Sequence, residues 1–209
     1  MQEITGFALL CVTSYFTLIN PLGLMPVFLT MTSNLDSSSK AKTARKAIIV
    51  AFLTLLAFAF TGQFLFKFFG ISVDSFRIVG GVIFFIMGMD MLNARLAKMK
   101  VNEEDIKEYV SDISITPLAI PMLAGPGAIT NSIVLMEDAQ DITHKIVLIS
   151  AIALIFIVTY IVLWAASSIS KFIGETGIKI MMKLMGLIVM VIAVEFLFSG
   201  LKPIIKSII

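Results

Sequence analysis

The sequence predicts an all-α membrane protein in which six transmembrane helices form two inverted three-helix repeats, with helices 1 and 4 discontinuous. Three observations support this prediction: the composition, two proline–glycine interruptions inside apolar stretches, and a similarity between the two halves. Of the 209 residues, 58% are hydrophobic and 14% are charged, and the mean hydropathy is +1.01. Soluble domains carry about 25% charged residues, so this chain cannot cover a water-facing surface.

Six apolar stretches are long enough to cross a bilayer, which takes about 20 residues. They run over 4–31, 47–69, 76–94, 115–136, 146–168 and about 178–201. The long hydrophilic segment 95–114 separates a first repeat, 1–94, from a second repeat, 115–209, and we expect it to be a cytoplasmic loop within one membrane domain. The N-terminus lacks a basic region before its apolar stretch, so we expect a retained span rather than a signal peptide.

The distribution of Lys and Arg predicts the orientation. With six spans and the N-terminus outside, eleven of these residues fall on the cytoplasmic side and five on the other side. This excess follows the positive-inside rule, so we expect a multi-pass protein of the cell (inner) membrane with extracytoplasmic N- and C-termini. The basic residues are dispersed over short loops, so no nucleic-acid partner is expected.

A shift of 105 residues aligns the two halves of the chain. Pro21 then falls on Pro126, Gly81 on Gly186, and Asp90 on Glu195. Because each half contains an odd number of spans, the second half enters the membrane from the opposite side and is inverted relative to the first. Inverted repeats built around discontinuous helices are typical of secondary transporters, whose substrate site lies near the midplane at the breaks.

The first interruption is "LINPLGLMPV", residues 18–27. Pro21 lacks an N–H group and its ring clashes with the carbonyl group one turn earlier, while the residue before a proline is disfavoured in helical conformation. The stretch 4–19 is about 24 Å long as a helix, at 1.5 Å per residue, which is shorter than a hydrocarbon core of about 30 Å. The break therefore lies within the membrane.

The second interruption is "AGPGA", residues 124–128, preceded by Pro121. Irregular backbone survives in hydrocarbon only where it is buried in protein or lines a cavity. We expect new half-helices to begin near Leu24 and Ala128, with several unpaired N–H groups facing a shared cavity.

The two half-helices would point their positive dipole ends at the breaks, and such ends bind carboxylates without an arginine. Carbonyl groups of the preceding half-helices would accept from an ammonium group, so the pattern favours a zwitterionic α-amino acid. Proline kinks and small residues also serve helix packing alone, which is the alternative. The candidate substrate-binding residues are Thr17, Asn20, Pro21, Gly23, Ala124, Gly125, Pro126, Gly127, Thr130 and Asn131.

Two acidic residues lie inside apolar spans, Asp90 in the third and Glu195 in the sixth. A charged residue within a span is costly and indicates a functional site. We expect Asp90 and Glu195 to take part in ion coupling; the alternative is that each is an interfacial acid paired with a nearby base or a helix end.

The motifs "NPLGLMPVF" (20–28), "PLAIPMLAGPGAIT" (117–130) and "FRIVGGVIFFIMGMDML" (76–92) resemble those of the MarC family (UPF0056), six-span membrane proteins of bacteria and archaea. The resemblance covers nearly the whole chain. The family includes a transporter of small neutral amino acids that moves glycine and alanine. The resemblance implies an inverted-repeat transporter that holds its substrate at the broken helices, and the matching positions are Asn20, Pro21, Gly23, Gly125, Pro126 and Gly127.

The function we expect is secondary active transport of small neutral amino acids, coupled to a gradient of H⁺ or Na⁺, with alternating access around the two breaks. The alternatives are an exporter of other metabolites or drugs, and a channel, because broken helices also line pores. No nucleotide-binding or catalytic motif is found in the sequence, so we expect neither an enzyme nor a bound cofactor or metal. The expected partners are the zwitterionic substrate and the bilayer, and the sequence is compatible with an oligomer.

Overall fold

The computed structural model describes residues 2–33, 35–93, 106–139 and 141–208. These ranges are helical and contain no strand, and five helices are long and apolar enough to cross a membrane, or six if a bent pair counts as one span. The fold class of an all-α membrane protein is therefore confirmed. The helices are α1 (Gln2–Ile19), α2 (Pro21–Met31), α3 (Ser37–Phe69), α4 (Val73–Leu92), α5 (Ile106–Ile113), a segment of wide helical turns (Ser114–Leu123), α6 (Pro126–Asp138) and α7 (Ile142–Ile208).

Helix α3 begins ten residues before the predicted second span. Asp36 caps its N-terminus by accepting from the backbone N–H groups of Ser38 and Ser39, each at 3.2 Å. Hydrogen bonding to Ser39 holds the pKa of the Asp36 carboxyl below its usual range. The helix ends at Gly70, which has φ 64°. Its 33 residues extend about 50 Å, so the first turns project beyond a hydrocarbon core of about 30 Å.

The segment 95–114, which we expected to be a loop, is partly helical. Residues 94–105 lie outside the described residues, but 106–113 form α5. Ile106, Val110 and Ile113 recur at the spacing of one helix face, and Ile113 is buried. Because charged residues separate these positions, a search for continuous apolar stretches does not detect this amphipathic pattern.

Helical backbone is assigned from Ile142 to Ile208, which we call α7, but its two halves pack in opposite directions and do not form one straight rod. Two separate apolar stretches within it are long enough to cross a membrane, Ile142–Ala166 and Gly186–Lys206. The sequence prediction therefore placed both spans, and the chain turns back between them.

The two apolar stretches of α7 run in opposite directions. The start of α7 lies beside the start of α1, where the rings of Phe7 and His144 are 5.0 Å apart. Gly62, near the end of α3, packs against Ile133, near the end of α6, so α3 ends and α4 starts at this same end of the bundle. We call this end the N-terminal face. The opposite end, where α3 starts among Lys40, Lys42, Arg45 and Lys46, is called the basic face.

Helix α4 packs antiparallel on Gly186–Lys206 through close contacts at glycines. A methyl group on Gly81 would lie 2.8 Å from the carbonyl oxygen of Ala193 and 3.0 Å from the amide nitrogen of Leu197. A methyl group on Gly186 would lie 2.9 Å from the carbonyl oxygen of Gly88 and 3.1 Å from the amide nitrogen of Leu92. Gly186 follows Gly81 by 105 positions, and Gly88 and Leu92 precede Ala193 and Leu197 by the same number. The inverted repeat stays a prediction, but these paired contacts support it.

Replacement of Gly81 or Gly186 by alanine is expected to destabilise the protein. The added methyl group meets backbone atoms, which cannot rotate away as a side chain can, and overpacking of this kind costs about 1–3 kcal/mol. Thermal unfolding in detergent micelles measures the effect. Gly6→Ala is the matched control, because nothing lies within 4 Å of an added methyl group there and alanine favours a helix by about 1 kcal/mol over glycine. Equal stability of the three variants would contradict this packing.

Candidate functional site

The first break is a single residue, Asn20, between α1 and α2. It has φ 47°, in the left-handed region that asparagine tolerates better than most residues. Its side-chain oxygen accepts from the N–H group of Gly23 at 3.1 Å, and its carbonyl oxygen accepts from the N–H group of Leu24 at 3.0 Å. Helix α2 begins at Pro21 rather than near Leu24, as suits a residue without an N–H group to satisfy.

Asn20 therefore satisfies two of the amides that we expected to be unpaired at the first break. Because its oxygen is held by Gly23, the NH₂ group of the side chain is the part left to donate to a ligand. At this break we expected several free backbone donors, and the structure offers one side-chain amide.

The second break lies between the wide-turn segment and α6, and the axes of Val110–Leu123 and Pro126–Asp138 differ by 58°. Thr116 and Ile120, which precede Pro117 and Pro121, have extended backbone within the wide-turn segment, as expected before proline. Helix α6 begins at Pro126 rather than near Ala128, and no side chain caps it at Gly125. The first amides after Pro126, those of Gly127 and Ala128, are thus available to an anion.

A cavity of about 260 Å³ lies between the two breaks. Its polar side chains are Thr17 and Asn20, and none of its lining residues is charged. The hydroxyl group of Thr17 donates to the carbonyl oxygen of Thr13 at 2.8 Å, which leaves its oxygen able to accept. The lining consists of Thr17, Leu18, Ile19, Asn20, Gly23, Leu24, Phe84, Met122, Gly125, Gly127, Ala128, Ile188, Val189, Ile192 and Phe196.

Eight of the lining residues form four pairs that are separated by 105 positions. The pairs are Thr17 with Met122, Asn20 with Gly125, Gly23 with Ala128, and Phe84 with Val189. A cavity on a pseudo-two-fold axis has this property, because the axis exchanges one wall for the other. The paired residues come from both breaks and from the two antiparallel helices that pack through glycines, which are α4 and the Gly186–Lys206 stretch of α7.

Hydrogen bonds join α1 to α6 on the side of the cavity towards the N-terminal face. The hydroxyl groups of Tyr15 and Ser132 lie 2.7 Å apart, and both residues are fully buried. Since Ser132 donates to the carbonyl oxygen of Ala128, Tyr15 is the donor in this pair. The side-chain amide of Asn131 donates to the hydroxyl oxygen of Ser14 at 3.1 Å. We call these four residues the polar clasp.

The structure brings half of the candidate substrate-binding residues to the cavity. Thr17, Asn20, Gly23, Gly125 and Gly127 line it. The other five, Pro21, Ala124, Pro126, Thr130 and Asn131, do not belong to the lining.

These five residues have other surroundings, which explain their absence from the cavity. Pro126 packs against Gly80 of α4, Ala124 is 1% exposed, and Asn131 belongs to the polar clasp. Pro21 is buried at the start of α2. Thr130 is also buried, and its hydroxyl oxygen has no hydrogen-bond partner among the described residues.

The two intramembrane acids lie away from the cavity lining. Asp90 is half-buried in the last turn of α4, and Glu195 is exposed on α7, so neither is in direct contact with the space between the breaks in this conformation. Their coupling role stays a prediction.

Sequence reasoning missed most of the apolar walls and one polar group. Phe84, Ile188, Ile192 and Phe196 carry no sign of their role, because they are ordinary apolar residues of apolar spans. Tyr15 is one of three tyrosines in the chain and lies two residues before Thr17, so a search for hydroxyl groups near the break would have included it.

Comparison with known proteins gives one consistent result. The MarC family, described as MarC family integral membrane protein, matches residues 5–205. A UPF0056 membrane protein of Methanocaldococcus jannaschii is 39% identical over 94% of this chain and 96% of its own length. UPF0056 membrane proteins YvbG of Bacillus subtilis (35% identical, 90% of this chain and 91% of its own) and YhcE of Escherichia coli (34%, 90% and 89%) are similar. No solved structure matches. The chain belongs to the MarC family of integral membrane proteins.

Loss of the buried hydroxyl pair is expected to destabilise the protein unequally. Tyr15→Phe removes one hydrogen bond, worth about 0.5–1.5 kcal/mol, whereas Ser132→Ala leaves the Tyr15 donor buried without a partner, which costs about 1–3 kcal/mol. The double variant should lose less than the sum. Denaturant unfolding in micelles of the wild type, both single variants and the double variant measures this cycle. Strict additivity would show that the two hydroxyl groups do not interact.

Proposed function

We propose that this member of the MarC family is a secondary active transporter of small neutral amino acids, such as glycine and alanine. The observation that carries the proposal is the cavity between the two helix breaks, half of whose lining forms pairs related by the 105-residue repeat. Inverted repeats in transporters place the substrate at the repeat interface, between discontinuous helices.

The groups at the cavity suit the two charges of an α-amino acid. The uncapped amides of Gly127 and Ala128, at the positive end of α6, and the NH₂ group of Asn20 would donate to the carboxylate. The Thr17 hydroxyl oxygen and the main-chain carbonyl of Met122 would accept from the ammonium group.

The remaining lining supports selection of small and uncharged molecules. The cavity of about 260 Å³ is at or below the lower end of ligand pockets, which measure about 300–1,000 Å³. The absence of a charged side chain among its lining residues makes a net charge on the ligand costly, because no counter-ion offsets its desolvation. A zwitterion has no net charge, because it carries one positive and one negative group, and so it needs no counter-ion from the protein. This lining favours amino acids over cationic drugs as cargo.

The asymmetry of the cavity supports alternating access. Ile188, Ile192 and Phe196 line it, whereas their repeat partners Ile83, Met87 and Met91 do not. In the proposed inverted repeat, the two halves would therefore hold different positions around one axis, and exchange of these positions would bring the second set to the cavity. The polar clasp lies between the cavity and the N-terminal face, so in this proposal the present conformation would admit substrate from the basic face.

The proposal includes the membrane orientation and the driving force. By the positive-inside rule the basic face is cytoplasmic and both termini are extracytoplasmic. Coupling to a gradient of H⁺ or Na⁺ would involve Asp90 or Glu195, since each is ionisable and lies within a span. Because neither residue lines the cavity, such coupling acts through helix movement rather than direct contact with the substrate.

Filling the cavity is expected to abolish uptake of labelled glycine into proteoliposomes. A side chain on Gly127 would point at Phe196 and Leu18, since an added methyl group already lies 2.6 Å and 3.0 Å from them. Gly127→Leu should therefore lower the initial rate by at least tenfold, a loss of about 1.4 kcal/mol.

Gly6→Leu is the matched control for the uptake measurement, because Gly6 is exposed and faces open space. Size-exclusion profiles and melting temperatures in detergent establish that both variants fold. Wild-type uptake by a folded Gly127→Leu variant would contradict the proposal. Glycine flux that does not saturate with concentration would favour a channel instead.

A further inference from the structure

A second cavity lies on the outer surface of the bundle, between α3 and α7. It is a groove of about 420 Å³, lined by Arg45, Ile48, Ile49, Phe52 and Leu53 of α3 and by Ala153, Phe156, Ile157 and Tyr160 of α7. The edge-to-face contact between the rings of Phe52 and Phe156, with centroids 5.9 Å apart, joins the two helices within it. Ile49, Leu53 and Ile157 are each at least half exposed, so the groove opens away from the bundle.

The groove has a polar end and an apolar end. Arg45 is the ninth residue of α3, so it lies near the basic face, and the helix runs about 12 Å from there to Leu53. Helix α7 runs from the N-terminal face towards the basic face in this region, so Tyr160 lies nearer to Arg45 than Ala153 does. All the lining residues except Arg45 and Tyr160 are apolar.

We propose that this groove binds an anionic phospholipid, with an acyl chain between α3 and α7 and the phosphate group on Arg45. The guanidinium group presents a planar set of donors that suits a phosphate. Lys42 precedes Arg45 by three residues on the same helix face and adds positive charge at the headgroup level. No acidic side chain lines the groove to compete for Arg45.

The depth of Arg45 fits this ligand. Helix α3 is longer than the hydrocarbon core by several turns, and four of its five basic residues lie in its first three turns. With the apolar part of α3 in the hydrocarbon, the charged end of the groove would lie at the level of lipid headgroups and the apolar end within the hydrocarbon. Basic side chains at this depth attract anionic lipids by about 1 kcal/mol each.

Titration of the purified protein with phosphatidylglycerol or phosphatidylcholine in detergent, followed by the melting temperature, tests the proposal. Phosphatidylglycerol should stabilise the wild type at lower mole fraction than phosphatidylcholine. Arg45→Gln should raise the apparent Kd for phosphatidylglycerol about fivefold and abolish the difference between the two lipids. Ala153→Phe, which fills the apolar end, should weaken binding although Arg45 remains.

Lys67→Gln is the matched control, because it removes one charge from the same helix at its other end, outside the groove. It should leave phosphatidylglycerol binding unchanged. Equal effects of Arg45→Gln and Lys67→Gln would indicate general attraction to anionic micelles and overturn the proposal. An unchanged Kd in a folded Ala153→Phe variant, with its melting temperature measured without added lipid, would also overturn it.

Discussion

A peptide group that leaves its helix inside the bilayer must find another partner, and this constraint explains the centre of the molecule. Each unsatisfied group costs several kcal/mol in hydrocarbon, so the chain can break only where protein or a polar cavity surrounds it. The two breaks meet this constraint differently. Asn20 satisfies two amides of the first break, those of Gly23 and Leu24, with its side chain and carbonyl group, whereas the second break leaves α6 uncapped at the cavity. In the proposed function, the amides of Gly127 and Ala128 are therefore the main donors to the carboxylate of the ligand.

The packing around the breaks follows from the need to bring two helices close together. Gly81 and Gly186 allow the backbones of α4 and α7 to approach within a distance that a methyl group would not permit, and their contacts are related by the same 105 positions. Association of helices in lipid depends on such close packing, because burial of apolar side chains gains little there. In the proposed inverted repeat, this tightly packed antiparallel pair would lie on the pseudo-two-fold axis and support a cavity that both repeats share.

The sequence predicts the parts of this structure that depend on backbone chemistry. The spans, both breaks and the landmark glycines follow from apolar length, proline and spacing. It could not predict that Thr130, Asn131 and Pro126 pack away from the cavity, because the direction of a side chain around α6 depends on which helices surround it. The apolar walls of the cavity likewise arise from packing, which gives no local signal.

The account depends on one cavity whose walls exchange between the two repeats. Its most direct test uses Met87→Cys and Ile192→Cys, a pair separated by 105 positions, in a chain whose single cysteine, the buried Cys11, is replaced by alanine. Membrane-impermeant thiol reagents are applied to vesicles of either orientation. The account predicts labelling at 192 from the basic face and at 87 from the N-terminal face, with glycine shifting the two rates in opposite directions. Labelling of both positions from the same face, or none at 87 under any condition, would contradict it.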